Sequence, residues 1–179
     1  MSTIINGTSS AITFPDSSVQ NTSAIVSGYV PYANLPTGSV LQVVSGRIST
    51  SRVTTTSTSW VSLGSTLSIT PKFSTSKILI RYVASCAISA NLAADAQLDI
   101  VRNSTQNISG SATGIQNFDG QASGTSFLPI TVEYLDSPAT TSAITYGASV
   151  KVNSSSYTLY FNGNGADTYT SFVLMEIAG

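Results

Sequence analysis

Charge is scarce in this sequence. Lys, Arg, Asp and Glu make up only 8% of the 179 residues, against about 25% in an average soluble domain. The seven Lys and Arg are scattered singly, and the formal net charge is −1. Because no basic cluster is present to neutralise phosphates, the sequence argues against nucleic-acid binding. Serine and threonine, about three residues in ten, take the place of charge as hydrated surface groups.

Histidine is absent, and cysteine occurs once. The absence of histidine excludes the common Ser-His-Asp and Cys-His catalytic arrangements, as well as histidine-based metal sites. The one thiol, Cys86, has no partner for an internal disulfide, so stability depends on packing or on association between chains. We expect Cys86 to be a buried structural thiol, since no histidine is present to activate it.

Long hydrophobic runs are also missing. No apolar stretch approaches the roughly 18 residues of a membrane-spanning helix, so we predict no membrane insertion. The first residues, Met-Ser-Thr-Ile-Ile-Asn, lack the basic start and long apolar stretch of a signal peptide. We therefore expect synthesis in a cytoplasm, followed by retention there or release by assembly or lysis.

What is abundant favours strands. Thr, Val, Ile and Tyr suit extended structure, and Gly and Ser supply turns, so the sequence predicts an all-β chain. The longest β-favouring stretch is 76–85, in which Ile78, Ile80 and Tyr82 share one face of an extended strand. The other face is also apolar except for Arg81, which we expect to reach a carboxylate, a sheet edge or a subunit contact. A strand that is apolar on both faces is typical of the centre of a covered sheet.

From Val40 onward, such stretches recur at the spacing of a sandwich or jelly roll. The only helix candidate, 87–96, carries a serine and an asparagine and is not convincing. We therefore predict a jelly-roll-like antiparallel β-sandwich over residues 40–179. Its strand candidates are 40–44, 48–56, 60–63, 66–70, 76–85, 97–102, 127–135, 144–152, 157–161 and 169–177.

Residues 1–39 differ from this head domain. Their apolar side chains, among them Ile12, Phe14 and Val19, are too few to form a core of their own. The stretch 29–38 contains two prolines and a glycine, which disfavour regular structure. We predict a short extended attachment segment with a linker, in which Ile12, Phe14 and Val19 pack against another polypeptide.

Carboxylates offer the remaining chemistry. Asp95 and Asp99 lie about 13 Å apart on one predicted strand, so we interpret them as solvated or salt-bridged rather than as a hydrolytic pair. Asp119 and Asp167 lie in Gly-rich loops, where we favour turn formation over calcium ligation. Trp60 begins a strand, where packing at the core edge is favoured over stacking on a sugar. The sequence thus predicts no catalytic residue, metal or cofactor.

Several stretches resemble virion proteins. Thr-Phe-Pro-Asp-Ser-Ser-Val-Gln-Asn-Thr at 13–22 is similar to a segment that recurs near the start of tail and fibre proteins of tailed bacteriophages. From Leu35 onward, the chain resembles a C-terminal module of virion structural proteins, notably in phages of cyanobacteria and other marine bacteria. The matching pieces, which together span most of the chain, are 35–44, 58–60, 69–72, 76–79, 134–141 and 174–179.

This resemblance implies a non-enzymatic virion component, made in the host cytoplasm, whose head is a homotrimer. A small domain with few charges and no disulfide also gains stability by burying apolar surface between copies. The leading hypothesis is a short tail-fibre or tail-associated protein that binds the host surface and joins other virion proteins through its N-terminal segment. The alternative is a capsid decoration protein, since the chain is short and lacks a repetitive shaft. A polysaccharide depolymerase is a third, less favoured hypothesis.

A host-surface contact, to polysaccharide or protein, is expected in loops rather than strands. The stretch 103–125 is the longest polar insertion between predicted strands, and such long loops are usually functional or disordered. We predict that its tip, formed by Gln116, Asn117, Phe118 and Asp119, makes the receptor contact.

Overall fold

The computed structural model describes residues 4–5, 11–13, 19–21, 30–49, 52–88, 93–104, 106–120, 127–161 and 169–179. Their regular structure is strand except for one 3₁₀ turn at Tyr32–Asn34. In this part of the chain, no helix is long and apolar enough to cross a membrane. The strands are β1 (Ile4–Ile5), β2 (Ala11–Thr13), β3 (Val19–Asn21), β4 (Val40–Ser49), β5 (Val53–Thr55), β6 (Val61–Ile69), β7 (Lys77–Ile88), β8 (Asp95–Arg102), β9 (Gln106–Asn107), β10 (Gln116–Asp119), β11 (Leu128–Asp136), β12 (Ile144–Val152), β13 (Leu159–Phe161) and β14 (Tyr169–Ile177).

Two antiparallel sheets form the head. Sheet one has the order β4-β14-β7-β11. Beyond the end of β14, β13 pairs with the last residues of β7, and β5 pairs with β13. Sheet two has the order β6-β12-β8-β10, with β9 also paired to β8. Successive long strands mostly alternate between the two sheets, which is the arrangement of an eight-stranded jelly roll. The predicted all-β, jelly-roll-like antiparallel sandwich is therefore confirmed.

The core lies between the two sheets. Strand β7 is central in sheet one, and its Ile78, Ile80 and Tyr82 side chains are 0% exposed, as the alternation of the sequence predicts. The ring of Tyr82 lies 5.1 Å from that of Phe172, edge to face, and 6.3 Å from that of Phe161. Sheet two contributes Leu98, Ile100, Ile144, Tyr146, Val150 and other apolar side chains to the same cluster.

Two strand predictions need correction. The candidates 60–63 and 66–70 are one continuous strand, β6. Its partner β12 pairs Ser149 with Ser62 and Gly147 with Thr66, so β6 carries two extra residues in a bulge. Gly64, at φ +71, sits in this bulge, and the glycine that looked like a strand break is its left-handed residue. The candidate 48–56 is divided between the end of β4 and β5.

The two ends of the head lie side by side. The Gly38 N–H donates to the Ala178 carbonyl at 2.8 Å, and the Ala178 N–H donates to Ser39 at 2.9 Å. Nearby, the buried Glu176 carboxylate accepts hydrogen bonds from the Lys72 N–H and from the Gln42 amide, each at 2.6 Å. The stretches 69–72 and 174–179, both of which carry the resemblance described above, are therefore joined by the hydrogen bond between Lys72 and Glu176.

The linker is more ordered than its composition predicts. Between its two prolines, Tyr32–Asn34 form one 3₁₀ turn, in which the Asn34 N–H donates to Pro31 at 2.9 Å. The Lys72 ammonium lies 5.8 Å from the centre of the Tyr32 ring. This part of the linker therefore packs on the head, and strand β4 begins directly after it at Val40.

The N-terminal strands form a separate small sheet of order β1-β2-β3. Ile12 pairs with Gln20 and Thr13 with Val19, so β2 and β3 are adjacent and antiparallel. The extended backbone predicted for this segment is confirmed at these strands. Phe14 lies outside the described residues, as do the side chains of Ile12 and Val19, and their attachment role stays a prediction.

Candidate binding groove on the outer face of sheet two

The outer face of sheet two is crossed by the residues that follow β9. The Ile108 N–H donates to the Ile100 carbonyl and the Ile115 N–H donates to Leu98, both at 2.9 Å, so the two ends of this loop are fixed to β8. The residues between them, 109–114, reach across the sheet. We name 108–115 the covering loop, because it contacts the Asp99 side chain of β8 and the Lys151 side chain of β12.

Asp99 is the most deeply buried of these side chains, at 0% exposed. Its carboxylate accepts hydrogen bonds from the Ser109 hydroxyl and, at 2.7 Å, from the Ile100 N–H. Burial raises the pKa of Asp99, although these hydrogen bonds act in the opposite direction. The prediction of a solvated or salt-bridged Asp99 is therefore wrong, because the covering loop buries it among neutral donors.

The covering loop also positions Trp60. The Lys151 ammonium donates to the Ala112 carbonyl at 2.7 Å and lies 4.8 Å from the centre of the Trp60 ring. Gly114, at φ +76, lies so close that a Cβ there would come within 2.9 Å of the Trp60 ring and collide with the Leu98 carbonyl. Trp60 thus lies on the outer side of sheet two, held by the loop and Lys151, rather than at the core edge.

A groove of about 450 Å³ opens beside Trp60. The Ser149 hydroxyl, which is buried, donates to the side-chain oxygen of Asn107 at 3.2 Å across one wall. None of the lining side chains carries a charge. Such a lining suits a neutral ligand that combines hydrogen-bonding groups with an apolar face. The groove is lined by Trp60, Ser62, Thr66, Val101, Ser104, Asn107, Gly147, Ala148 and Ser149.

The residues predicted to form the receptor-binding loop are not at a loop tip. Gln116, Asn117, Phe118 and Asp119 form strand β10, which pairs along β8 with Phe118 opposite Ala96. Phe118 packs partly buried against the core, while Asn117 and Asp119 are exposed. The polar composition hid this strand, because an edge strand needs only a few apolar contacts once its partner supplies the backbone hydrogen bonds.

Acidic and thiol groups give no second site in the described part of the chain. Asp119 lies opposite Asp95 on neighbouring strands, whereas Asp167 lies outside the described residues. Within those residues, no group of three or more metal-binding side chains is close enough to hold an ion. Cys86 is 4% exposed, and burial raises the pKa of its thiol to about 12, so the predicted buried structural thiol is confirmed.

The outer face of sheet one has the opposite character. Strand pairing aligns Val43, Met175, Leu79 and Leu135 across β4, β14, β7 and β11, and we name these four the apolar row. Val43 is 55% exposed and Leu135 is 48% exposed. Beside the apolar row, Arg81 of β7 lies opposite Glu133 of β11, and its Nε is 3.4 Å from the Glu133 Oε1. The expectation that this cation reaches a carboxylate is therefore confirmed.

The head therefore presents two outer faces to its surroundings, one covered by its own loop and one with exposed apolar side chains. In comparisons with known proteins, no protein-family model matches this chain, and no curated protein matches it.

Proposed function

We propose that this chain is a non-enzymatic structural protein of a tailed-phage virion, whose head assembles as a homotrimer and whose N-terminal segment attaches it to the particle. The resemblance of 13–22 and of the region from Leu35 onward supports the virion assignment. The observation that carries self-association is the apolar row on the outer face of sheet one. A tail position with a host-surface role is the leading location.

The apolar row is suited to contact with another copy. Monomeric soluble proteins rarely expose large contiguous apolar patches, and here four large side chains align across the four strands of one sheet. Val40 and Ile177, which pair with each other on β4 and β14, lie in the neighbouring row and widen the apolar surface there. Charged side chains are depleted in the centre of protein interfaces. On this face Arg81 and Glu133 are paired with each other on one side of the row, and Lys77 lies opposite Ile177 on its other side.

A closed ring of three copies would place this face towards the symmetry axis. Apolar side chains from each copy would then lose water together, which favours association by about 25 cal/mol per Å² of apolar surface. No disulfide is needed for this assembly, which agrees with the burial of Cys86.

Attachment to the particle is assigned to residues 1–29. The linker leaves the head beside the Ala178 carbonyl, at the end where β4 begins and β14 finishes. In a trimer, three such segments would leave the heads at the same end. We propose that Ile12, Phe14 and Val19 pack against another virion protein with strand-like backbone pairing.

Host-surface contact is the further role of a tail location. Asn117 and Asp119, exposed on the edge strand β10, stay candidates for that contact even though they do not form a loop. The second candidate function is a capsid decoration protein, which the same resemblance to virion structural proteins also fits. Labelling the protein in a particle reconstruction separates tail from capsid.

Light scattering under reducing conditions tests the assembly. We expect the mass of three chains for the natural protein and the mass of one chain for Leu79→Asp, which places a charge in the centre of the apolar row. Ser68→Asp, which adds the same charge on the exposed outer face of sheet two, is the matched control and should remain a trimer. A natural protein that is monomeric at micromolar concentration overturns this part of the proposal.

Truncation tests the attachment. A head that starts at Val30 keeps the Tyr32–Lys72 and Gly38–Ala178 contacts, so it should fold and assemble normally. It should nevertheless fail to join the virion, because the proposed attachment segment is missing. Incorporation of this truncated head at the natural level would show that attachment lies on the head itself.

A further inference from the structure

We propose that the groove beside Trp60 binds a neutral carbohydrate. This inference rests on the host-attachment part of the proposed function and deepens it by naming a site and a ligand class. The site differs from strand β10, on which the sequence placed the receptor contact. Three features carry it: the fixed aromatic ring, the neutral hydrogen-bonding wall and the open floor.

The ring of Trp60 is held before any ligand arrives. The Lys151 ammonium, fixed by its 2.7 Å hydrogen bond to Ala112, lies against the ring, and Gly114 contacts its edge. Neither Lys151 nor Gly114 belongs to the groove lining. The ring is therefore held by these contacts while it also lines the groove, and the C–H face of a sugar ring stacks on such an aromatic surface. Fixing the ring in advance lowers the entropy lost on binding.

The wall matches the hydrogen-bonding groups of a sugar. The Ser62, Thr66 and Ser104 side chains are exposed hydroxyls, and a hydroxyl both donates and accepts, as sugar hydroxyls do. The Asn107 amide is oriented by the hydrogen bond from Ser149. None of the side chains that line the groove is charged, and the Lys151 ammonium beside Trp60 lies outside the lining with its hydrogen bond to Ala112. The neutral class is therefore favoured.

The floor leaves room for the ligand. Gly147 lies in the middle of β12, which is paired to β6 on one side and to β8 on the other. Its lack of a side chain keeps the groove open above a backbone that two neighbours hold in place. The volume of about 450 Å³ falls in the range of about 300–1,000 Å³ that is usual for small-molecule sites.

The single tryptophan of the chain makes the site directly observable. Titration of the 179-residue protein with maltotriose, cellotriose, mannotriose, galactotriose and triacetylchitotriose, at millimolar concentration, should change the Trp60 emission for at least one of them. Trigalacturonic acid is the charged comparison and should have no effect. Thr66→Arg, which fills the groove from an exposed position on β6, should weaken binding at least about tenfold.

Ser68→Arg is the matched control, since it adds the same side chain two residues along the same face of β6, outside the groove lining. It should bind as the natural protein does, and both variants should have the natural melting temperature. The inference is overturned if none of the five neutral sugars changes the emission, or if Thr66→Arg binds them normally. It is also overturned if emission depends on protein concentration alone, which would make the groove a contact between copies.

Failure of the carbohydrate site and failure of the proposed virion role give different experimental outcomes. A protein that joins the virion but binds no neutral sugar contradicts only the carbohydrate site. A protein that binds a neutral sugar through the groove but does not join the virion contradicts the virion role and leaves the site standing.

Discussion

The two outer faces of the head reverse the usual relation between hydropathy and exposure. On sheet two, Gln97, Asp99 and Ser149 are polar and yet only 7%, 0% and 3% exposed, whereas on sheet one Val43 and Leu135 are apolar and about half exposed. At Asp99 the cause is the covering loop, which crosses the face and donates a hydrogen bond from Ser109 to the buried carboxylate. Ser149 donates instead to Asn107 on β9. The exposed apolar face in the same domain is the surface on which the proposed self-association depends.

The contrast between the two outer faces requires that a single core lies between the two sheets. Substitutions at two neighbouring residues of β7, Ile80 and Leu79, test this requirement and have the largest expected effect. Ile80→Asp buries an unpaired carboxylate at a position that is 0% exposed and should lower the free energy of unfolding by about 3 kcal/mol or more. Leu79→Asp, one residue away on the outer face, should leave the monomer folded. Urea denaturation followed by circular dichroism measures both. Equal destabilisation by the two would show that β7 does not separate an inner face from an outer one.

Two glycines of the covering loop test whether this loop packs on the outer face of sheet two. Gly114 and Gly110 have similar left-handed φ values, +76 and +65, but a Cβ at Gly110 meets nothing within 4 Å while one at Gly114 collides with the Leu98 carbonyl. We therefore expect Gly114→Ala to lose about 1–3 kcal/mol more stability than Gly110→Ala. The emission of Trp60 should also shift to longer wavelength in the Gly114 variant only. Similar behaviour of both variants would mean that the loop does not pack on the sheet.

The buried Asp99 gives sheet two a pH dependence. Because burial raises its folded-state pKa above the ordinary value of 3.8, the folded state holds the proton more tightly than the unfolded state does. Its contribution to stability is therefore fully present below pH 3.8 and is lost as the pH rises through the folded pKa.

Asp99→Asn removes this ionisation, so its free energy of unfolding should fall less between pH 3.8 and neutrality than that of the natural protein. Asp119→Asn, at an exposed position on β10, is the matched control and should keep the natural profile. Urea titrations at a series of pH values give the slopes. Identical slopes for Asp99→Asn and the natural protein would contradict the burial of Asp99 by the loop.

The smallest expected effect concerns the outer face of sheet one. Arg81 and Glu133 are 54% and 57% exposed at their side chains, so a double-mutant cycle with Arg81→Gln and Glu133→Gln should give a coupling below about 1 kcal/mol in the monomer. Arg102 and Asp136, at 2.9 Å and 21% and 10% exposed, should couple more strongly. A larger Arg81–Glu133 coupling in the assembled state than in the monomer would show that assembly covers this face.

The strands with a strong apolar alternation were predictable from local sequence. The buried face of β7, the thiol of Cys86 and the all-β class follow from the order of side chains along an extended chain. Strand β10 was missed, because its pairing with β8 rather than its own composition makes it a strand. The burial of Asp99 and the groove beside Trp60 were missed for a related reason, since a loop folded back from β9 creates both.

The sequence by itself determined the layers of this protein, because a period of two in apolar side chains decides which face of each strand turns to the core. It also determined that the surface is poor in charge and that no disulfide joins the layers. Only the tertiary structure decided how the two outer faces differ. That difference depends on which strands become neighbours and on where the covering loop lies, and these contacts join residues that are distant in sequence and carry no local signal.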